Sequence, residues 1–179
     1  MRCVAFLRGM NLGGRRIKNA ELKREFEALG CTEVACFRAS GNVVFAAEES
    51  DGAALAARIE EGLGEALGYE VPVFLRGAAE LRGIAAQEPF GSKAVEASAG
   101  KLQVSLLAER PRPAAREAVM AMSTEADRLA IEGRELYWLP SGGLLDSALD
   151  LRAIESLLGR STRRTKGTID QIAGKYFAN

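Results

Sequence analysis

Arg8, Asn11, Gly13, Gly14 and Arg15 fall in one short glycine-rich stretch, and Ser40, Gly41 and Asn42 fall in a second. These residue types hold anions. Glycine lets backbone N–H groups approach a ligand, arginine pairs with its charge through a fork of donors, and an asparagine amide orients it. From Arg8 to Lys18 the chain carries four bases, Arg8, Arg15, Arg16 and Lys18, and no acid. Lys plus Arg (24) equals Asp plus Glu (24) over the whole chain, so this imbalance is local. In the alternative reading the glycines supply positive φ to a wide turn, Asn11 caps it, and the arginines are simply hydrated.

A second acid-free basic run, Arg160, Arg163, Arg164 and Lys166, precedes Thr168. With Thr168 as the expected N-cap, the run is either a solvated tail or a helix start where Arg163, Arg164 and Thr168 hold a phosphate. The chain has no histidine, which excludes Ser-His-Asp hydrolysis and histidine-ligated zinc, and no metal site is expected. No pair of carboxylates has a spacing that implies acid–base work, and no base stands beside Ser40 in the sequence. Whether the protein is an enzyme stays open, and no cofactor is implied.

Two familiar motifs match in part. Gly9 and Gly14 have the glycine spacing of a P-loop, but Arg15 and Arg16 replace its lysine and hydroxyl, so nothing would coordinate magnesium. Arg38, Gly41, Val43 and Phe45 follow the RNP1 pattern of RNA-binding sheets. The positions that should stack on bases, however, are Ser40 and Asn42. Without stacking worth ~1–3 kcal/mol per base, a neutral protein has little affinity left for RNA.

The elements that must position these residues are read from periodicity. Cys3 to Leu7 is a continuous apolar run, as in a central strand. Asn19 is the expected N-cap of a helix carrying Leu22, Phe26 and Leu29 and ending at Gly30. Val34–Arg38 and Val43–Ala46 read as strands joined by a tight hairpin through Ala39 to Asn42. Asp51–Leu67 reads as a helix, with Leu55, Ile59, Leu63 and Leu67 on one stripe. Val71–Leu75 closes a βαββαβ set, the ferredoxin-like plait, with an antiparallel sheet and both helices on one face.

Residues 78–89 then read as a helical linker, and 93–100 show no period. A strand over 102–107 follows, then a helix from Pro111 and Pro113 to Met122 and a hairpin of 128–131 with 135–139. A helix over 151–158 comes next, with Ser147 and Asp150 at capping-box spacing, and finally a C-terminal helix. The expected domains are 1–77 and 78–179, two α+β plaits in tandem, with a repeat of topology but no aligned repeat of residues. Tyr137 and Trp138 are expected to pack in the second. Cys3, Cys31 and Cys36 are expected as buried structural thiols. The run Cys3 to Leu7 is shorter than the ~7–15 apolar residues of a secretory segment, and no stretch reaches the ~18–20 of a membrane span, so a cytoplasmic location is expected.

The segments Leu7-Arg8-Gly9-Met10-Asn11-Leu12-Gly13-Gly14 and Ser40-Gly41-Asn42-Val43-Val44-Phe45 resemble the signature segments of DUF1697, a bacterial family of unknown function. That resemblance implies two ferredoxin-like plaits in tandem over nearly the whole chain, and it implies no activity. A third family segment, Arg-Asn-Trp-Asn-Thr, is matched here only at its ends, by Arg164 and Thr168.

In such a plait the turn after strand one and the hairpin before strand three share one rim of the sheet. The leading expectation is a small anionic ligand, a nucleotide or phosphorylated metabolite, held there by Arg8, Asn11, Gly13, Gly14, Arg15, Ser40, Gly41 and Asn42. The alternatives are a structural or interaction module, in which the sheet face holding Ser40, Asn42 and Val44 packs on the other plait or on another protomer, and weak single-stranded nucleic-acid binding.

Overall fold

A computed structural model describes residues 1–38 and 41–178. Among them the chain forms two four-stranded antiparallel sheets and seven α-helices, an α+β architecture. Two compact units divide it: unit 1 is Met1–Arg82 with Lys175–Asn179, and unit 2 is Gly83–Gly174.

In unit 1, β1 (Arg2–Leu7) leads through a long loop to α1 (Asn19–Ala28), then β2 (Thr32–Cys36), β3 (Asn42–Ala46), α2 (Gly52–Leu67) and β4 (Val73–Gly77). The sheet order is β2-β3-β1-β4. Alternation puts Cys3, Ala5 and Leu7 of β1 and Val43 and Phe45 of β3 on one face, in a core with Leu22 and Phe26 of α1 and Leu55, Ile59 and Leu63 of α2. Phe26 meets Phe45 edge-on, with ring centroids 5.2 Å apart. The ends of α2 are set locally: the Asp51 carboxylate accepts from the Ala53 and Ala54 N–H groups, and Gly68 stops the helix in the left-handed region at φ 77°. Val4, Phe6, Val44 and Phe74 alternate to the opposite face and are also buried, none more than 2% exposed.

After α3 (Ala78–Ala86), the order is α4 (Ser92–Ala97), β5 (Gln103–Leu107), α5 (Pro113–Met120), β6 (Asp127–Glu132), β7 (Glu135–Pro140), a one-turn 3-10 helix (Leu144–Asp146), α6 (Leu151–Leu158), β8 (Ser161–Thr165) and α7 (Lys166–Tyr176). The second sheet is ordered β6-β7-β5-β8. Leu107, Leu129, Leu136 and Trp138 face Val119 of α5 and Ile154 and Leu158 of α6. Buried Asp127 accepts from Trp138 Nε1 at 2.8 Å and from Ser147 Oγ at 2.7 Å, which ties the segment after β7 to the sheet.

The two sheets repeat one another at the level of register, although no residue repeat is visible in the sequence. Leu7 N–H donates to Gly41 O at 2.8 Å, and Leu107 N–H to Arg134 O at 2.9 Å. Arg8 N–H donates to Pro72 O at 3.0 Å, and Ala108 N–H to Arg160 O at 3.3 Å. Val4 pairs with Arg76 as Val104 pairs with Arg164, and each arginine donates from Nη1 to the carbonyl of the residue before it, at 2.8 Å in both.

Several boundaries differ from the sequence reading, each for a physical reason. The segment read as a solvated basic tail is β8, an edge strand with no apolar residue to betray it. Its partner is β5. The fourth strand starts at Val73 rather than Val71, because Pro72 has no N–H for the ladder; Val71 is buried in the core all the same. β2 runs over 32–36 instead of 34–38: its register shifts between Thr32 and Ala35, with Glu33 at φ 51°, and Arg38 leaves the strand at φ 58°.

The caps also move. Lys18, not Asn19, precedes α1, and its N–H is taken by the Glu21 carboxylate. Asp150 alone caps α6, by accepting from Ala153 N–H, while Ser147 bonds Asp127. Thr165 takes the place expected of Thr168, its hydroxyl accepting the Thr168 N–H at 3.2 Å.

Candidate functional site

β1 is antiparallel to both β3 and β4, so the end of β1 and the starts of the other two lie at one rim of the unit 1 sheet. Three connections meet there. The end of β1 is joined to the β2–β3 hairpin by Leu7 N–H to Gly41 O, and the loop 8–18 to the α2–β4 turn by Arg8 N–H to Pro72 O. Gly41 has φ +72°, and a Cβ there would stand 3.0 Å from Met10 Cγ and 3.1 Å from Leu7 Cβ. Only glycine lets the hairpin close onto the loop at this point.

The loop is fastened at both ends. Met10 is 5% exposed and belongs to the unit 1 core. At the other end the Arg15 guanidinium lies 4.1 Å over the Tyr69 ring, a cation–π contact. Between these anchors Gly13 and Gly14 hold positive φ and, with Asn11, are exposed; Arg15 itself, and Arg16 and Lys18 beyond it, are exposed too.

The structure therefore gathers most of the expected residues at one rim but gives them different surroundings. Asn11, Gly13, Gly14 and Arg15 face solvent, and Arg8 is half-buried. Asn42 is fully buried and donates from Nδ2 to Phe37 O at 3.2 Å, closing the hairpin from inside. Ser40 lies outside the described residues. Met10, Tyr69 and Pro72 complete the rim and were not singled out in the sequence. Their only local signal is an apolar residue amid bases in one case and a residue following a helix-ending glycine in another.

Arg163, Arg164 and Thr168 are not gathered around one opening. Strand alternation sends the two arginines to opposite faces of β8. Arg163 lies 5.2 Å from the Trp138 ring centroid, and burial pushes its pKa down. Arg164 donates from Nη1 to Thr162 Oγ1 and to Arg163 O, both at 2.8 Å; burial pushes its pKa down to about 10, which leaves it charged at neutral pH. The Thr168 hydroxyl shares a 2.9 Å hydrogen bond with that of Thr165.

Of the three thiols expected to be buried, Cys3 and Cys31 are, while Cys36 is half-buried. Burial pushes Cys3 up to about 12 and raises Cys31 and Cys36, so all three are protonated at neutral pH. Among the described residues no three acids or thiols come together to hold a metal ion, and no helix is long and apolar enough to cross a membrane. A hollow of about 230 Å³ in unit 2 is lined by Phe90, Val95, Leu102 and Lys166 among others, but the Lys166 ammonium is already held at 2.7 Å by both Ala85 O and Asp170 Oδ1. On the face of β1 and β3 that would carry stacking residues in an RNA-binding sheet, Val4, Phe6, Asn42 and Val44 are buried.

The model of the family described as a protein of unknown function (DUF1697) matches residues 1–137. The chain belongs to the DUF1697 family. That match covers the whole rim, from Arg8 to Pro72, and runs on into β7. A solved structure of a conserved bacterial protein from Streptococcus pneumoniae is similar over 97% of this chain and 96% of its own, with 20% identity and a TM-score of 0.73. At that identity the likeness shows the fold that this DUF1697 chain shares with it. No curated protein matches the chain.

Proposed function

We propose that the protein binds a small anionic ligand, a nucleotide or phosphorylated metabolite, at the rim of unit 1. The observation that carries this reading is the loop after β1. In unit 2 the equivalent junction, with the same two backbone hydrogen bonds at its base, is spanned by residues 108–112, whereas unit 1 uses residues 8–18. The fold closes without the longer loop. The added residues include Arg15, Arg16 and Lys18, all exposed, and two glycines at positive φ whose N–H groups can approach an anion. Arg15, Arg16 and the Gly13 and Gly14 amides hold the charge, Asn11 orients the ligand, and Asn42 and Gly41 act from behind by fixing the hairpin.

The sheet orders β2-β3-β1-β4 and β6-β7-β5-β8 support the reading of both units as ferredoxin-like plaits. The burial of Val4, Phe6 and Val44 favours ligand binding at the rim over stacking of single-stranded nucleic acid on that face. A cytoplasmic protein meeting phosphorylated metabolites fits the same reading.

The test is a thermal-shift screen of nucleotides and phosphorylated metabolites on the full chain, repeated with the double variant Arg15→Ala, Arg16→Ala. A compound at about a hundred times its Kd stabilises by about 2.7 kcal/mol, a shift of several degrees. The double variant, altered at exposed positions, is expected to lose that shift. No response to any compound, or the same response in the variant, would overturn the reading.

A further inference from the structure

The loop that carries the bases also carries an apolar side chain that the fold leaves outside. Met10 is buried and Ile17 packs half-buried against the same core, but Leu12 is 65% exposed. Its Cδ1 lies 3.7 Å from where a Cβ on Gly9 would stand, so the leucine lies beside the bare backbone of Gly9. Arg15, three residues on, is bonded back to the Leu12 carbonyl at 3.0 Å. Tyr69 covers one face of the Arg15 guanidinium, while the side chain as a whole remains exposed.

An inorganic anion would use the guanidinium groups and the glycine amides and gain nothing from Leu12. An organic ester would use all of them: its charge at Arg15 and Arg16, and its apolar part over Leu12 and Gly9, where both apolar surfaces leave water together. Resting on the anion-binding reading above, we propose that the ligand is a small soluble phosphate monoester whose other end is an apolar group about the size of one aromatic ring. Leu12 is then a specificity residue, and it discriminates by contact with the part of the ligand that carries no charge.

The experiment compares inorganic phosphate with phenyl phosphate by calorimetry at one ionic strength, on the parent chain and on Leu12→Ser. Removing about 50 Å² of apolar surface from water corresponds to roughly tenfold in affinity, so phenyl phosphate should bind about tenfold tighter than phosphate. In Leu12→Ser that ratio should fall to about two, with phosphate affinity unchanged. If phosphate binds but phenyl phosphate binds no tighter, or keeps its advantage in Leu12→Ser, this inference fails while the anion site stands. If neither binds, the anion site itself fails. Binding to phosphatidic acid vesicles without any response to phenyl phosphate would also overturn the proposal, in favour of a membrane headgroup.

Discussion

Gly41→Ala tests whether the hairpin and the loop close on each other as described. Gly41 sits at φ +72°, where a side chain costs about 1–2 kcal/mol in backbone strain alone. The new methyl would also stand 3.0 Å from Met10 Cγ, 3.1 Å from Leu7 Cβ and 3.3 Å from the Leu7 carbonyl oxygen. Met10 can give way, but Leu7 cannot, because its N–H is bonded to Gly41 itself and it is paired with Val73. Overpacking of this kind adds about 1–3 kcal/mol, for a total of roughly 2–5 kcal/mol. Gly14→Ala is the control: its φ is +78° and nothing lies within 4 Å of its Cβ, so only the strain, about 1–2 kcal/mol, applies. Urea unfolding followed by circular dichroism measures both variants. Equal losses in the two would refute the closure of the hairpin on Leu7 and Met10, and with it the shape of the rim.

Asp127→Ala leaves the Trp138 indole N–H and the Ser147 hydroxyl without their shared acceptor, and should cost about 1–3 kcal/mol. Trp138 is the chain's one tryptophan, so its fluorescence should shift in the native state; an unchanged spectrum with unchanged stability would contradict the network. Cys3 keeps its proton up to about 12 in the folded chain, against an ordinary value of 9.0. The unfolded state therefore binds fewer protons between those values. This contribution to stability is complete below pH 9 and is lost as pH rises toward 12. Cys3→Ala should flatten that alkaline slope, and a slope unchanged in the variant would show that the thiol is not the cause. Thr165→Val removes the hydroxyl that accepts the Thr168 N–H and should cost about 0.5–2 kcal/mol, more than Thr168→Val. The reverse order in thermal unfolding would restore Thr168 as the cap.

The chain alone determined the parts that repeat within a few residues. The stripe Leu55, Ile59, Leu63 on α2, the apolar run of β1 and Gly30 after α1 each declare a local geometry, because a helix or a buried strand needs a fixed period on one face and a helix end accepts glycine at positive φ. The strand sequence and its connection lengths were enough to place the turn after β1 and the hairpin before β3 at one rim. Polar elements and shared neighbours were not legible. β8 reads Ser-Thr-Arg-Arg-Thr, and only its ladder with β5 makes it a strand. Tyr69 joined the site only when folding brought it beneath Arg15, a contact between residues far apart in the chain. Asn42 looked like a ligand contact and is instead sealed behind the hairpin, since its burial depends on the whole sheet around it. Local periodicity thus set the elements, and tertiary packing alone decided which polar side chains reach solvent, because exposure is a property of neighbours that no short stretch of sequence contains.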